Sequence, residues 1–339
     1  MSNLKKIGLS ALAGSLALTS ANAVDYAVTG DAILNFSSTK SDNTAANAPG
    51  TTGKGYGADT DLYFNASGEL DNGFTVAFFQ AANTDSSWAN SSSQVTVGMG
   101  SMGTLQFNNI AGAKANGIDD VTPFAMDEAW GASPDRPDFF GASTASGSID
   151  YRIPAQDLSG VTVNASVTYD PSADVGAATA RGVSSSSNSG VAYTLEMAAN
   201  GISVGVGHET VEGHENTVSG KAGGDEESVT GYIKYANGPI TVAYQEAYQD
   251  TLNNGQDLSS VMMGIAYTSG DITVSYSEQS IQKEATSDTV AVESDLEALQ
   301  VAYTMGAMTV SAAMQETSNA NGTAGKTYEE NEIQISFAF

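Results

Sequence analysis

The ten residues Val161-Thr162-Val163-Asn164-Ala165-Ser166-Val167-Thr168-Tyr169-Asp170 alternate strictly between apolar and polar. Val161, Val163, Ala165, Val167 and Tyr169 fall on one face, and Thr162, Asn164, Ser166, Thr168 and Asp170 on the other. A period of two is the period of a β-strand. A length of about ten is what a tilted strand needs to cross a bilayer. The chain ends on the same pattern, with Ile333, Ile335, Phe337 and Phe339 set against Glu332, Gln334, Ser336 and Ala338.

The connections around these segments come in two sizes, in alternation. The short ones are Asp71-Asn72-Gly73, Ser101-Met102-Gly103, Ala155 to Gly160, Ala199-Asn200-Gly201, Asn237-Gly238, Ser269-Gly270-Asp271 and Met305-Gly306-Ala307. Most carry the Asn, Asp and Gly chemistry of tight hairpins. The long ones lie near 38–55, 83–93, 110–146, 171–189, 210–225, 250–257, 282–294 and 318–327. Seven short turns and eight long loops join sixteen strands. Proline, which cannot donate to a ladder, is expected at strand ends (Pro154, Pro239) and in loops (Pro49, Pro123, Pro134, Pro137, Pro171).

Alternation alone does not separate a soluble sandwich from a membrane barrel. The sandwich buries its apolar face; the barrel turns it to lipid and wets the polar one. Strand length and paired connections favour the barrel. So do aromatics near strand ends (Tyr151, Tyr169, Tyr235, Tyr267, Tyr276, Tyr303 and Phe339), where girdles at a lipid boundary sit. The expectation is an all-β, sixteen-stranded antiparallel transmembrane barrel over 24–339. Residues 1–23 read as a signal peptide, with Lys5 and Lys6, an apolar run from Ile7 to Leu18 and an Ala21-Asn22-Ala23 cleavage pattern.

Composition narrows the function. The chain has 339 residues, 39 acids, 12 bases and a formal net charge of -27. That balance disfavours nucleic acid and anionic membrane surfaces as partners. The absence of Cys removes disulfides, thiolate metal sites and cysteine nucleophiles. His208 and His214 are the only histidines, and no His-Glu-x-x-His motif accompanies them; the one Gly-x-Ser-x-Gly spacing, Gly201-Ile202-Ser203-Val204-Gly205, follows directly on the hairpin turn Ala199-Asn200-Gly201 and lacks the strand-turn-helix setting of a nucleophile elbow. No enzymatic role is expected.

The order of these features resembles the general Gram-negative porins over nearly the whole chain. Gly100-Ser101-Met102-Gly103-Thr104-Leu105 is similar to that family's turn before its fifth strand. Ser148-Ile149-Asp150-Tyr151-Arg152 followed by Ser159-Gly160 is similar to its sixth and seventh strands. The terminal Phe339, with Phe337 before it, resembles the signature read by the barrel-assembly machinery. The resemblance implies a homotrimeric diffusion channel, exported to the outer membrane and bathed in its lipid and lipopolysaccharide. It also implies that the longest loop, 110–146, folds inward and narrows the pore.

That loop holds Asp119, Asp120, Asp127, Glu128, Asp135 and Asp138 against Lys114 and Arg136, with Phe124, Trp130, Phe139 and Phe140 available for packing. Pro137-Asp138-Phe139-Phe140-Gly141 resembles the family's Pro-Glu-Phe-Gly-Gly loop tip, which puts Asp138 in place of the tip carboxylate and Asp135 near its partner. A ring of carboxylates in a narrow passage favours cations. Low-dielectric walls focus the field so that several acids act together. Arg152 and Lys234 are the basic residues on polar strand registers and the candidates for the opposing lumen wall.

The expected function is passive diffusion of small hydrophilic solutes and cations. A substrate-selective channel and a plugged adhesive barrel are the alternatives. No cofactor is expected beyond a structural Ca²⁺ at Asp119-Asp120 or Asp127-Glu128, whose carboxylates suit that ion. Divalent ions bridging lipopolysaccharide to Glu212, Glu215, Asp225, Glu226 and Glu227 are a further expectation.

Overall fold

The computed structural model describes residues 25–42, 51–84, 88–109, 112–127, 139–142, 144, 146–173, 188–214, 224–250, 257–283 and 292–339. The segment 1–23 lies outside them, as do Glu128, Asp135, Asp138 and Glu215. Seventeen strand segments follow one another: β1 (Asp25–Asp42), β2 (Thr51–Glu69), β3 (Thr75–Asn83), β4 (Asn90–Gly98), β5 (Thr104–Asn109), β6 (Ile149–Arg152), β7 (Gln156–Asp157), β8 (Thr162–Asp170) and β9 (Gly190–Ala199). The second half continues with β10 (Ile202–His214), β11 (Gly224–Asn237), β12 (Ile240–Asp250), β13 (Leu258–Ser269), β14 (Ile272–Lys283), β15 (Ser294–Met305), β16 (Met308–Ser318) and β17 (Thr327–Ala338).

β6 and β7 both pair with β8, so together they make one spanning strand and the wall has sixteen. The interruption is at Ile153-Pro154-Ala155. Pro154 therefore lies inside a spanning strand and not at its end. Its missing N–H is what divides the strand in two.

Every neighbouring pair is antiparallel, and β1 pairs with both β2 and β17, which closes the sheet. Closure removes the edges that an open sheet would expose. The last step of closure is made by the chain end: the Gly30 N–H donates to the Phe339 carbonyl at 2.7 Å, and the Phe339 N–H donates to Gly30 at 2.8 Å. The Phe339 ring lies against the bare Cα of Gly30.

The two faces are inverted relative to a water-soluble protein. Buried inward positions include Ser228, Thr230, Ser260, Ser275, Ser277, Gln279, Gln300, Ser311 and Gln315. Outward positions on the same strands are exposed and apolar: Val229 and Ile233, Met263 and Ile265, Val274, Leu299 and Val301. Large apolar side chains left this exposed need lipid around them. Toward the loop ends the outward band gives way to Glu278, Glu297, Glu316 and Glu329, which face one another directly across β14 to β17. Tyr235, Tyr267 and Tyr303 sit near the tight-turn ends as expected, whereas Tyr276 is in mid-strand opposite Leu299.

The tight turns have the required backbone. Ser159 and Gly160 have φ of 57° and 89°, and Asn200 and Gly201 have 51° and 81°. Two adjacent positive values suit a two-residue hairpin on right-twisted strands. The first long loop is shorter than the expected 38–55, because β1 runs to Asp42 and β2 begins at Thr51. The pairing there continues through Ser, Thr, Gly and Lys, whose two polar faces leave no alternation to read.

Candidate pore constriction

The described parts of the third long connection, which follows β5, lie on the lumen face of the wall. Its outbound limb, residues 112–127, is bound by side chains that reach inward from successive strands. The Lys114 N–H donates to Asp150 of β6 at 2.8 Å. Gln245 of β12 accepts from the Val121 N–H at 2.9 Å and donates to the Ile118 and Asp119 carbonyls at 2.8 and 2.9 Å. Gln279 of β14 donates to the Asp120 carboxylate at 2.9 Å. Gln300 of β15 accepts from the Met126 N–H at 2.9 Å and donates to the Asp127 carbonyl at 2.6 Å. An irregular segment exposes N–H and C=O groups that must be paired once buried, and glutamine supplies both a donor and an acceptor.

A glycine and a small apolar cluster complete the seat. Gly264 leaves room for Pro123, whose Cδ would be 3.0 Å from any Cβ placed there. Ala115, Ile118 and Phe140 pack with Ala192 and Tyr232 of the wall. Phe140 belongs to the return limb, so the two limbs of the loop meet at this cluster. Phe139 packs separately against Ala247, Leu258 and Ile281.

The described loop acids form an arc along the wall and not a single cluster. The Asp119 carboxylate accepts from Asn116 at 2.9 Å, and Asp120 accepts from the Thr122 N–H and hydroxyl at 2.6 and 2.7 Å. Asp127 is exposed and lies near enough to Glu332 of β17 for their charges to interact. Among the described residues no three acids or histidines gather as a metal-ligand set. Glu128, Asp135 and Asp138 fall outside the described residues, so no geometry attaches to them.

The two candidate bases take different positions. Arg152 faces the lumen from β6 with its Nη2 3.1 Å from Asp150 Oδ2, on its own strand and beside the root of the loop. Asp150 is fully buried and also takes a hydrogen bond from Asn108. Lys234 shares the inward register of Thr230 and Tyr232, two residues nearer the tight turn than Tyr232, opposite Ala243. Among the described residues it makes no ion pair. Lys114 does: its Nζ is 2.6 Å from Glu196 Oε1, while Tyr232 donates to the other Glu196 oxygen at 2.6 Å.

Sequence reasoning missed several lumen groups. Asp31 of β1 and Asp61 of β2 are directly paired and both accept from the Tyr63 hydroxyl, at 2.7 and 3.1 Å. Asp59 shares their register, and Glu330 and Glu332 face inward from β17. Tyr63 and Phe79 stack inside the lumen with centroids 6.0 Å apart. The inward alternation of Asp59, Asp61 and Tyr63 could have flagged them, but Tyr63-Phe64 and Phe78-Phe79 hide the period.

Fold and site together define a closed transmembrane β-barrel with a polar interior, against whose wall the described limbs of its third long connection lie. The family model for Gram-negative porins matches residues 8–338. The chain belongs to that family, and barrel and family together place it in the outer membrane. Salmonella typhi OmpF, solved with daunomycin, matches at 12% identity and TM-score 0.69, covering 93% of this chain and 97% of its own. An anion-selective porin from Comamonas acidovorans matches at 15% identity and TM-score 0.66, over 93% and 100%. The trimer form of Vibrio cholerae OmpT, an outer membrane protein, matches at 13% identity and TM-score 0.59, over 94% and 100%. At such identities the likeness is one of fold. No curated protein matches the chain in sequence.

Proposed function

We propose that this porin is a passive diffusion channel for small hydrophilic solutes that prefers cations over anions. One observation carries the sign of that preference. The lumen acids Asp31, Asp59, Asp61, Asp119, Asp120, Asp127, Glu330 and Glu332 face few bases, and Lys114 and Arg152 are already paired with Glu196 and Asp150. Fixed carboxylates around a narrow aqueous passage lower the energy of cations there. A shared barrel does not set this sign, since the Comamonas protein of similar fold is named anion-selective.

The mature barrel works as a homotrimer, delivered by cleavage of 1–23 and inserted by the barrel-assembly machinery through Phe337 and Phe339. Lipopolysaccharide surrounds its outer rim, where the exposed carboxylates can hold bridging divalent ions. The Asp119-Asp120 pair retains the same weak capacity for Ca²⁺. His208 points outward with Val206, away from the lumen acids.

Planar-bilayer recording of the purified protein tests this reading. Steady open steps with a reversal potential toward the cation equilibrium value support it. A barrel with no steady current is plugged, and the surface-adhesion alternative takes its place.

A further inference from the structure

β10 presents three successive lumen-facing positions to the interior, Gly205, Gly207 and Glu209, and all three are buried. The two glycines strip the wall of side chains. The Tyr232 ring lies across Gly205, and the Phe140 ring of the third loop lies across Gly207, where any Cβ would overlap it. Glycine in a strand costs entropy and packing, and close approach of another group is a common reason for its presence.

Glu209 stands two residues beyond that seat and is 2% exposed. Its carboxylate accepts from the Gly141 N–H at 3.1 Å, the Thr144 N–H at 2.9 Å and the Ser228 hydroxyl at 2.9 Å. Two of its three donors belong to the return limb of the loop. A carboxylate buried without a base is costly, and backbone N–H donors are what offset that cost. Gly141 in turn touches the outbound limb: a Cβ there would be 2.7 Å from the Ala115 carbonyl carbon and the Asn116 nitrogen. Asp119 and Asp120 follow within four residues of Asn116. The chain of contact therefore runs from the wall through the return limb to the loop acids.

We propose that Gly207 and Glu209 are positioning residues for the constriction: seat and clamp on one strand, they fix the root of the third loop against the wall and thereby set the bore and the ion preference. The proposal rests on the channel reading above. The loop covers both residues and keeps them from contact with the passage, so each acts through the loop.

The test compares wild type, Gly207→Ala, Glu209→Ala, Glu209→Gln and an Asp119→Asn/Asp120→Asn double variant in planar bilayers under a KCl gradient, with thermal unfolding of the folded barrel measured in parallel. Gly207→Ala adds one methyl group where a strand tolerates alanine, so the barrel folds even where Glu209→Ala does not. In Gly207→Ala the cation-to-anion permeability ratio should fall by about half and single-channel conductance should shift by about 1.5-fold, with barrel unfolding unchanged. Glu209→Ala should do the same. Glu209→Gln, which keeps an acceptor oxygen, should lie between it and wild type. Wild-type conductance and permeability in a folded Gly207→Ala barrel would overturn the proposal, and a lowered ratio in the double variant would then leave the channel reading standing. Absence of steady current from wild type would overturn both.

Discussion

The Lys114 ammonium is 2.6 Å from a carboxylate oxygen of Glu196, which ties the outbound limb of the third loop to β9 and neutralises the base closest to Asp119 and Asp120 in sequence. Both side chains are mostly buried, at 29% and 20% exposure. Replacing Lys114 by Gln should leave Glu196 as an uncompensated lumen charge. We expect the cation-to-anion permeability ratio to rise and the loop to lose about 1–2 kcal/mol of local stability. Reversal potentials and amide hydrogen exchange over 112–121 check the two effects separately.

Neutralising the loop acids should act in the opposite direction. Asp119→Asn, Asp120→Asn and Asp127→Asn should each lower the permeability ratio, and their combination should lower it most. The effect should depend on salt. Screening lengths fall from about 10 Å at 0.1 M to about 3 Å at 1 M, so selectivity measured in dilute KCl should fade in concentrated KCl. A ratio that does not change with salt would place the selecting charges elsewhere.

Gln245 is fully buried and makes three hydrogen bonds to loop backbone groups. Gln245→Ala leaves those groups unpaired, at about 1–3 kcal/mol each unless water enters. Hydrogen exchange should quicken at 118–122 while the strands remain protected. Equal loosening of the strands would mean that this amide holds the barrel and not the loop.

The reciprocal hydrogen bonds between Gly30 and Phe339 predict an assembly phenotype. A Cβ at position 30 would come 2.6 Å from the Asp61 carbonyl oxygen and 2.9 Å from the Phe339 ring. Gly30→Val and deletion of Phe339 should both reduce the yield of folded barrel, read as the heat-modifiable fraction on gels. Barrels that do form should conduct like wild type.

Most of the barrel was legible because a side-chain period of two is local: Val161 to Asp170 declare their faces without reference to any partner. The count of sixteen followed from alternating connection lengths. Where the period vanishes, so does the reading. The polar extension of β1 and β2 beyond the lipid has no apolar face, and Pro154 breaks a strand that its neighbour β8 nonetheless holds.

The constriction was less legible for a different reason. Asp119, Asp120 and Asp127 were visible as loop acids, and Lys234 and Arg152 as inward bases. What holds the loop is written on distant strands. Gln245, Gln279, Gln300 and Glu209 look like ordinary inward polar residues until register brings them under the loop. Gly207 and Gly264 look like weak points in strands until Phe140 and Pro123 are seen resting on them.

An aqueous passage lined by carboxylates, with Lys114 and Arg152 already paired to Glu196 and Asp150, should select for positive charge. Single-channel reversal potential of the wild-type protein across a tenfold KCl gradient measures this most directly. The potential should be displaced toward the potassium equilibrium value. A displacement toward the chloride value would contradict it.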